Sequence, residues 1–538
     1  MKKTLEQYEN IDIELGDFFE RLTADTTGKV NTAIRDLSAA VRSGSSCIVV
    51  PDKDLQNELL KHSAVFGTCQ QHDLSTPLIF DGNLLYFQKQ LKKELELAGF
   101  LRDIADRNTP ELPPDKVDEA FSPLPPSAGV DHQKRAVRNA LRTPFAIISG
   151  GPGTGKTTVA SVLLYHELMR KDPPRIAITA PTGKAFFRLK ESLNSDIKKF
   201  QIPEAFKEQL TALPGGTIHR LLGWTKNGFS FNRENPLPYD LLVVDEASMI
   251  SQDLMLHLVS AMSKDCRMIL LGDYLQLSSI ESGTVFADLC TASENAPENS
   301  AMSKIMAKLT FNFRAGEVPE LVQLFDKLRT GQLPDDYPVA SVPRRKQEIA
   351  EKLAPYLAVY RKIAKLCASG SEEDLQKAFA LLDDFMIITA LRGKSIFGAE
   401  GINQLVMNAL NLKPDSPGVP VIILRNDANL QLFNGDIGLT VKNGNVRFPE
   451  RQTCYSLAEL PELTQAYAIT AHKSQGSGYS EILMILPPEE TPVLTLSLLY
   501  TAATRARKKL TIWGSRKILK QIAQQENPRT TGLATRLF

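Results

Sequence analysis

Short apolar runs bounded by turn residues recur along most of the chain. Phe145-Ala146-Ile147-Ile148, Leu241-Leu242-Val243-Val244, Met268-Ile269-Leu270-Leu271 and Phe385-Met386-Ile387-Ile388 are consecutive apolar residues, as in strands covered on both faces. Arg175–Ala180 and Ala466–Thr470 read as further strands, and Leu510-Thr511-Ile512-Trp513 as the one that closes a sheet. A helical stretch from 318 to 384, broken near 334–343, separates two such series. Between 418 and 453, short β segments turn at Asn434-Gly435 and Asn443-Gly444, which suits a small inserted barrel. Residues 499–507 are expected as a helix with Arg505 in its C-terminal half.

Residues 1–106 read as helical with a few strands. Ile34 to Val41 has helical spacing, and Cys47-Ile48-Val49-Val50 reads as a strand. Leu84-Leu85-Tyr86-Phe87 is expected to open a long amphipathic helix running through Leu101. Pro110, Pro113, Pro114, Pro123, Pro125 and Pro126 then exclude regular helix and predict a linker over 107–128.

A length of 538 residues implies several domains, and 43% hydrophobic with 23% charged residues is ordinary globular composition. No run approaches the roughly 20 apolar residues of a membrane span, and the first residues lack a hydrophobic signal core. Six cysteines without a C-x-x-C pair argue against a disulfide framework, a zinc site or an iron–sulfur cluster, and read as reduced cytosolic thiols. A net charge of +1 means that any nucleic-acid surface must be a local groove.

The chemistry concentrates at Gly150-Gly151-Pro152-Gly153-Thr154-Gly155-Lys156-Thr157-Thr158, between a strand and a helix. This is the context of a phosphate-binding loop. Glycines let backbone N–H groups turn onto a phosphate chain, and the following helix adds the positive end of its dipole. Lys156 can reach the β and γ phosphates, and the Thr157 hydroxyl can hold Mg²⁺. Asp245 and Glu246 leave the end of a buried strand, where one can complete a Mg²⁺ shell and the other polarise water. Gln276 could sense the γ-phosphate, and Gln133, one element upstream of the loop, could read an adenine edge. A lone Gln is also an ordinary surface residue. The small hydroxylated residues after other strands are equally plain turns or contacts to a sugar-phosphate backbone. Two α/β halves, one with a phosphate loop and one ending in an arginine, put ATP in the cleft between them.

In order along the chain, Gln133, residues 150–157, 180–185, Asp245-Glu246, 272–278, 309–314, 467–476 and 500–507 resemble the motif series of superfamily 1 helicases. The forms around Asp245, Gly272 and Tyr500 are similar to the 5′-to-3′ branch, superfamily 1B, and within it to the RecD family, the alpha subunits of exodeoxyribonuclease V (RecBCD). Leu37-Ser38, Ala40-Val41, Gly44 and Cys47, then Pro77-Leu78, Gly82, Leu84 and Tyr86, resemble that family's docking domain. The resemblance implies an α/β fold of two RecA-like parallel-sheet motor domains with a small SH3-like β-barrel insertion, preceded by a mainly helical N-terminal domain. Its expected bounds are a docking domain over 1–106, a linker over 107–128, a first motor domain over 129–315 with a hairpin near 224–239, and a second over 316–538 with the insertion near 415–460.

The resemblance also implies roles. Gln133, Gly151, Gly153, Thr154, Gly155, Lys156, Thr157, Thr158 and Gly476 would hold ATP, and Thr157 with Asp245 would hold Mg²⁺. Lys156, Glu246, Gln276, Arg314 and Arg505 would carry the hydrolysis. Pro181, Thr182, Thr217, His219, His472 and Ser474 would lie along single-stranded DNA. Implied partners are DNA ends and RecB-like and RecC-like subunits in a heterotrimer, in the cytoplasm. No nuclease motif follows Arg507, and the N-terminal region shows no helix-hairpin-helix repeats of the stand-alone RecD-like helicases. The readings kept open are a helicase–nuclease subunit, an autonomous 5′-to-3′ helicase, a silent scaffold and an RNA helicase.

Overall fold

The computed structural model describes residues 8–70, 74–108, 112–113, 115–124, 127–200, 202–279, 281–313, 318–427, 429–449, 451, 453–524 and 529–537. Arg314, Pro110, Pro114, Pro125 and Pro126 lie outside these residues.

Two parallel sheets dominate. In the first, the strand order is Met306–Leu309, Phe145–Gly150, Arg267–Gly272, Leu241–Val244, Ile176–Ala180, Gly215–Thr217. Side-chain alternation sorts its apolar runs between two helical layers. Phe145, Ile147, Leu242 and Val244 pack with helices Gln252–Ser260 and Val285–Asn295. Ala146, Ile148, Leu241 and Val243 pack with helices Ala128–Arg142, Lys156–Leu168 and Gly183–Lys199. The second sheet runs Val339–Ala340, Ala506–Trp513, Tyr479–Ile485, Phe385–Thr389, Ala468–Thr470, again all parallel. The segment Leu510–Trp513 therefore does not close this sheet. It belongs to a longer strand whose outer neighbour is Val339–Ala340, two residues in the break of the helical stretch. An antiparallel sheet in the order Tyr455–Ser456, Asn445–Arg447, Ile437–Thr440, Pro420–Ile423, Leu463–Gln465 is inserted between helix Ala399–Leu410 and strand Ala468–Thr470.

The N-terminal region is mainly helical, as expected, and its few short strands form one sheet. A helical pair, Asn10–Thr23 and Lys29–Arg42, accompanies a four-stranded sheet ordered Cys47–Val49, Leu84–Phe87, Leu78–Asp81, Phe66–Thr68. Leu84–Phe87 is a strand and not the start of a helix. It pairs on both sides, a tight turn with Gly82 at φ 60° joins it to Leu78–Asp81, and the helix starts only at Gln88. That helix, Gln88–Ala105, serves both units. Leu91 packs with Cys47, Ile79 and Tyr86, whereas Leu97, Leu101 and Ile104 enter the core of the first parallel sheet.

The proline-rich stretch also packs. Val117–Ala120 forms one helical turn, and Val117, Ala120 and Phe121 are buried. Asp115 and Asp118 hold Arg138 at 3.1 and 2.6 Å, so the stretch is fastened to helix Ala128–Arg142. At the other end, residues 529–537 return to the N-terminal region. Ser46 N donates to Thr530 O at 2.9 Å, Arg536 Nε donates to the buried Glu94 at 3.0 Å, and Leu533 and Leu537 join the first core.

Candidate ATPase and nucleic-acid site

Strand Phe145–Gly150 ends in the glycine-rich loop, and helix Lys156–Leu168 begins directly after it. Gly153 and Gly155 both hold φ 80°, a conformation that side chains resist. Any Cβ on Gly155 would strike Gln133. Lys156 Nζ donates to the carbonyls of Gly150 at 2.6 Å and Gly151 at 3.3 Å, while Thr154 Oγ1 donates to Gly151 O at 2.8 Å. Thr158 Oγ1 donates to Asp196 at 3.3 Å.

Gln133 is buried, and its Nε2 donates to Thr154 O and Gly155 O at 3.3 and 3.4 Å. Its Oε1 is buried, with no hydrogen-bond partner among the described residues. An orphaned acceptor beside a phosphate loop fits a ligand that brings an N–H, such as an adenine amine.

A cavity of about 370 Å³ joins the halves. The loop with Lys156, Thr157 and Thr158 lines one wall beside Asp245 and Glu246, and Gly476, Thr504, Arg505 and Arg507 line the other. Asp245 ends strand Leu241–Val244 and accepts from Glu246 N at 2.9 Å. Burial and the Glu246 carboxylate push its carboxyl up to about 7, against the pull of Lys156. Glu246 sits at φ 49°, a strained position for a non-glycine residue, at the start of the turn Ala247–Met249. Thr157 and Asp245 thus bring a hydroxyl and a carboxylate to the same cavity as the lysine, a donor set that fits Mg²⁺ with a phosphate chain.

Arg505 does not lie in a helix. Helix Leu496–Ala503 ends first, with Thr504 as its cap, and Arg505 sits at the junction with strand Ala506–Trp513. Arg505 is 5% exposed, and its guanidinium donates to Thr501 O at 3.1 Å, Ser477 O at 3.2 Å and Gln276 Oε1 at 2.8 Å. All three acceptors are neutral, and among the described residues no carboxylate pairs with this buried charge. Further bonds cross between the halves: Tyr500 OH donates to Asp273 at 3.0 Å, Leu277 N to Thr501 Oγ1 at 2.8 Å, and Gln475 Nε2 to Leu277 O at 2.8 Å. Asp273, Tyr500 and Arg507 stand inside the motif spans but carry no role of their own there: Asp273 lies three residues before Gln276, and Tyr500 and Arg507 lie five before and two after Arg505.

A second cavity, of about 750 Å³, runs between the sheets and the insertion. Pro181, Thr182, His219 and His472 line it, with Lys184, Arg392 and Lys473 as its cations. Burial, and then Arg392, lower the pKa of Lys473, against the pull of Glu462 and Glu400, and Glu281 and Glu462 also line the cavity. Thr217 and Ser474 are not brought to this groove. Thr217 Oγ1 caps the helix Ile218–Leu221 by accepting from Arg220 N at 3.2 Å, and the fully buried Ser474 donates to Ala471 O at 2.7 Å.

The AAA domain family matches residues 133–282, and the UvrD-like helicase C-terminal domain family matches residues 465–513. The RecBCD enzyme subunit RecD of Haemophilus influenzae is 30% identical over 90% of this chain and 84% of its own length. The subunit of the same name from Mycolicibacterium smegmatis is 30% identical over 98% of this chain and 97% of its own. The ATP-dependent RecD2 DNA helicase of Deinococcus radiodurans is 28% identical over 84% of this chain and 58% of its own length. With such identity sustained along nearly the whole of both sequences, the chain belongs to the RecD family.

Proposed function

We propose that the chain is an ATP-dependent 5′-to-3′ DNA helicase that works as the alpha subunit of a RecBCD-type helicase–nuclease in double-strand break repair. The observation that carries the reading is Arg505, a buried cation with only neutral acceptors, facing the phosphate loop across the interdomain cavity. A buried guanidinium of this kind is costly until an anion reaches it.

In this reading Lys156 and the loop amides hold the β and γ phosphates, and Gln133 meets the adenine through its orphaned acceptor. Thr157 and Asp245 hold Mg²⁺, which when bound spreads the phosphate charge. Glu246 orients and deprotonates the attacking water. Arg505 stabilises charge on the γ-phosphate from the second half, and its bond to Gln276 ties hydrolysis to the strand end leading into the groove. Closing and reopening the cleft moves the two walls of that groove against each other, one step per ATP. Pro181, Thr182, His219 and His472 touch the DNA strand, whose backbone meets Arg392 and Lys473, so sequence preference is slight.

The exposed apolar residues Ile11, Phe18 and Leu22 support the assembly half of the reading. Their spacing puts them on one face of helix Asn10–Thr23, a surface suited to RecB-like and RecC-like partners in a heterotrimer. The test compares duplexes with 5′ and 3′ single-stranded tails, using the chain alone and with partner subunits. Unwinding from the 5′ tail alone is expected. Unwinding from the 3′ tail alone overturns the polarity, and full 5′ unwinding unchanged by partners favours an autonomous helicase.

A further inference from the structure

Arg329 ends helix Pro319–Arg329, which opens the second half of the molecule. Leu321, Leu324, Phe325 and Leu328 of that helix share one buried cluster with Leu498, Leu499 and Tyr500. The guanidinium reaches the phosphate loop. Nη1 lies 3.2 Å and Cζ 3.7 Å from the point where a Cβ on Gly151 would stand. The Tyr500 hydroxyl, bonded to Asp273, lies 3.0 Å from the same point. Lys156 Nζ donates to the Gly151 carbonyl, so two cations converge on one peptide of the loop. Because Lys156 is the group that meets the β and γ phosphates, this peptide marks the outer end of the phosphate chain.

Arg329 is half-buried, and among the described residues no hydrogen bond or ion pair engages its guanidinium. A partly desolvated guanidinium next to a phosphate loop is matched in charge and shape to a phosphate oxygen pair. We propose that Arg329 is a positioning residue through which the second half senses the γ-phosphate, an inference that rests on the ATPase reading above. Arg505 and Arg329 then divide the work. Arg505 is already held by three acceptors at the end of helix Leu496–Ala503, whereas Arg329 is free to move to the phosphate. Because its helix is packed on the helix that leads to Arg505, a shift of Arg329 toward the triphosphate carries the second half with it.

The test measures affinity of the full chain for a fluorescent ADP and for a non-hydrolysable fluorescent ATP analogue, in wild type, Arg329→Ala, Arg329→Lys and Lys156→Ala. Arg329→Ala is expected to weaken the triphosphate about tenfold, as for loss of one charge-assisted bond, and ADP less than about twofold. Arg329→Lys is expected to recover part of the discrimination, which a merely structural role would not give. Equal weakening of both nucleotides, or no change in either, overturns the proposal. If Arg329→Ala does not fold, Arg329→Lys decides the matter by its triphosphate-to-diphosphate ratio. If wild type binds neither nucleotide, or Lys156→Ala binds like wild type, the ATPase reading itself fails and this inference with it.

Discussion

Arg505 Nη2 donates to Gln276 Oε1 at 2.8 Å across the cleft between the halves, and both side chains are almost wholly buried. The far end of the Gln276 amide donates to Asp273, which also accepts from Tyr500. One amide thus touches the cation of the second half and the acid of the first. Groups so linked act as a unit, and their deletions do not add. Arg505→Ala is expected to lower DNA-stimulated kcat by roughly 10²–10³-fold, the loss typical of a preorganised charge-stabilising donor. Gln276→Ala should lower it less, and the double variant should be no worse than Arg505→Ala. Steady-state ATPase of the three variants checks this, and additive losses would show that the bond carries no coupling.

The groove gives a separate expectation. Arg392 is exposed and pairs with Glu400 at 3.3 Å, a surface pair worth little to the fold. Arg392→Ala should leave thermal stability unchanged and weaken single-stranded DNA. The slope of log affinity against log salt should become shallower by about 0.7, the contribution of one phosphate contact on a single strand. An unchanged slope removes Arg392 from the DNA path.

Asp288 sets a pH dependence. It is buried under residues 529–537, where it accepts from Thr531 at 2.7 Å and Thr284 at 3.1 Å. Burial, with Glu94 nearby, pushes its carboxyl up to about 7 despite those two hydroxyls. A carboxyl raised in the folded state favours folding most when it is protonated. Its contribution is therefore full below the ordinary carboxylate value of about 3.9 and is lost as pH rises to about 7. Asp288→Asn keeps an acceptor for Thr531 and cannot ionise. Relative to wild type, its Tm should rise as pH is taken from about 5 to about 7 and level off above that in a melting series, and a constant difference would refute the assignment.

Arg536 holds the same junction by charge. It meets Glu94 at 3.0 Å and Asp81 at 2.7 Å, and Glu94 also accepts from Tyr86 at 2.9 Å and Ser46 at 2.7 Å. Glu94 is 1% exposed at its side chain. Arg536→Ala should cost about 3–5 kcal/mol, because it leaves that carboxylate buried without its cation. Equilibrium denaturation measures the loss, and a cost below about 1 kcal/mol would mean that the remaining donors suffice.

Much of the first half was legible because its signals are local. The strand–loop–helix at Lys156 needs only consecutive residues, and the run before Asp245 declares a doubly covered strand by composition alone. The features that escaped depend on distant partners. Leu84–Phe87 has the apolar content of a helix start, and only pairing with Cys47–Val49 and Leu78–Asp81 makes it a strand. Arg505 stands in a helical pattern, but the helix ends at Ala503 so that the strand can join its sheet. Ser474 and Thr217 look like ligands by residue type, yet Ser474 is wholly buried with its hydroxyl spent on Ala471 O, and Thr217 does not line the groove. Arg329 carried no motif at all. It becomes visible only when the fold lays it against Gly151.

The return of residues 529–537 to helix Gln88–Ala105 also has a consequence in time. Glu94 and Arg536 are 442 residues apart, so a ribosome working from the N-terminus exposes the acid long before it makes the base. At about 5–20 residues per second that delay is roughly 20–90 s. Throughout it, Glu94 has no cation, and the seats of Leu533 and Leu537 stand open beside Leu97 and Leu101. The amino-terminal unit is thus completed only by residues made long after its own.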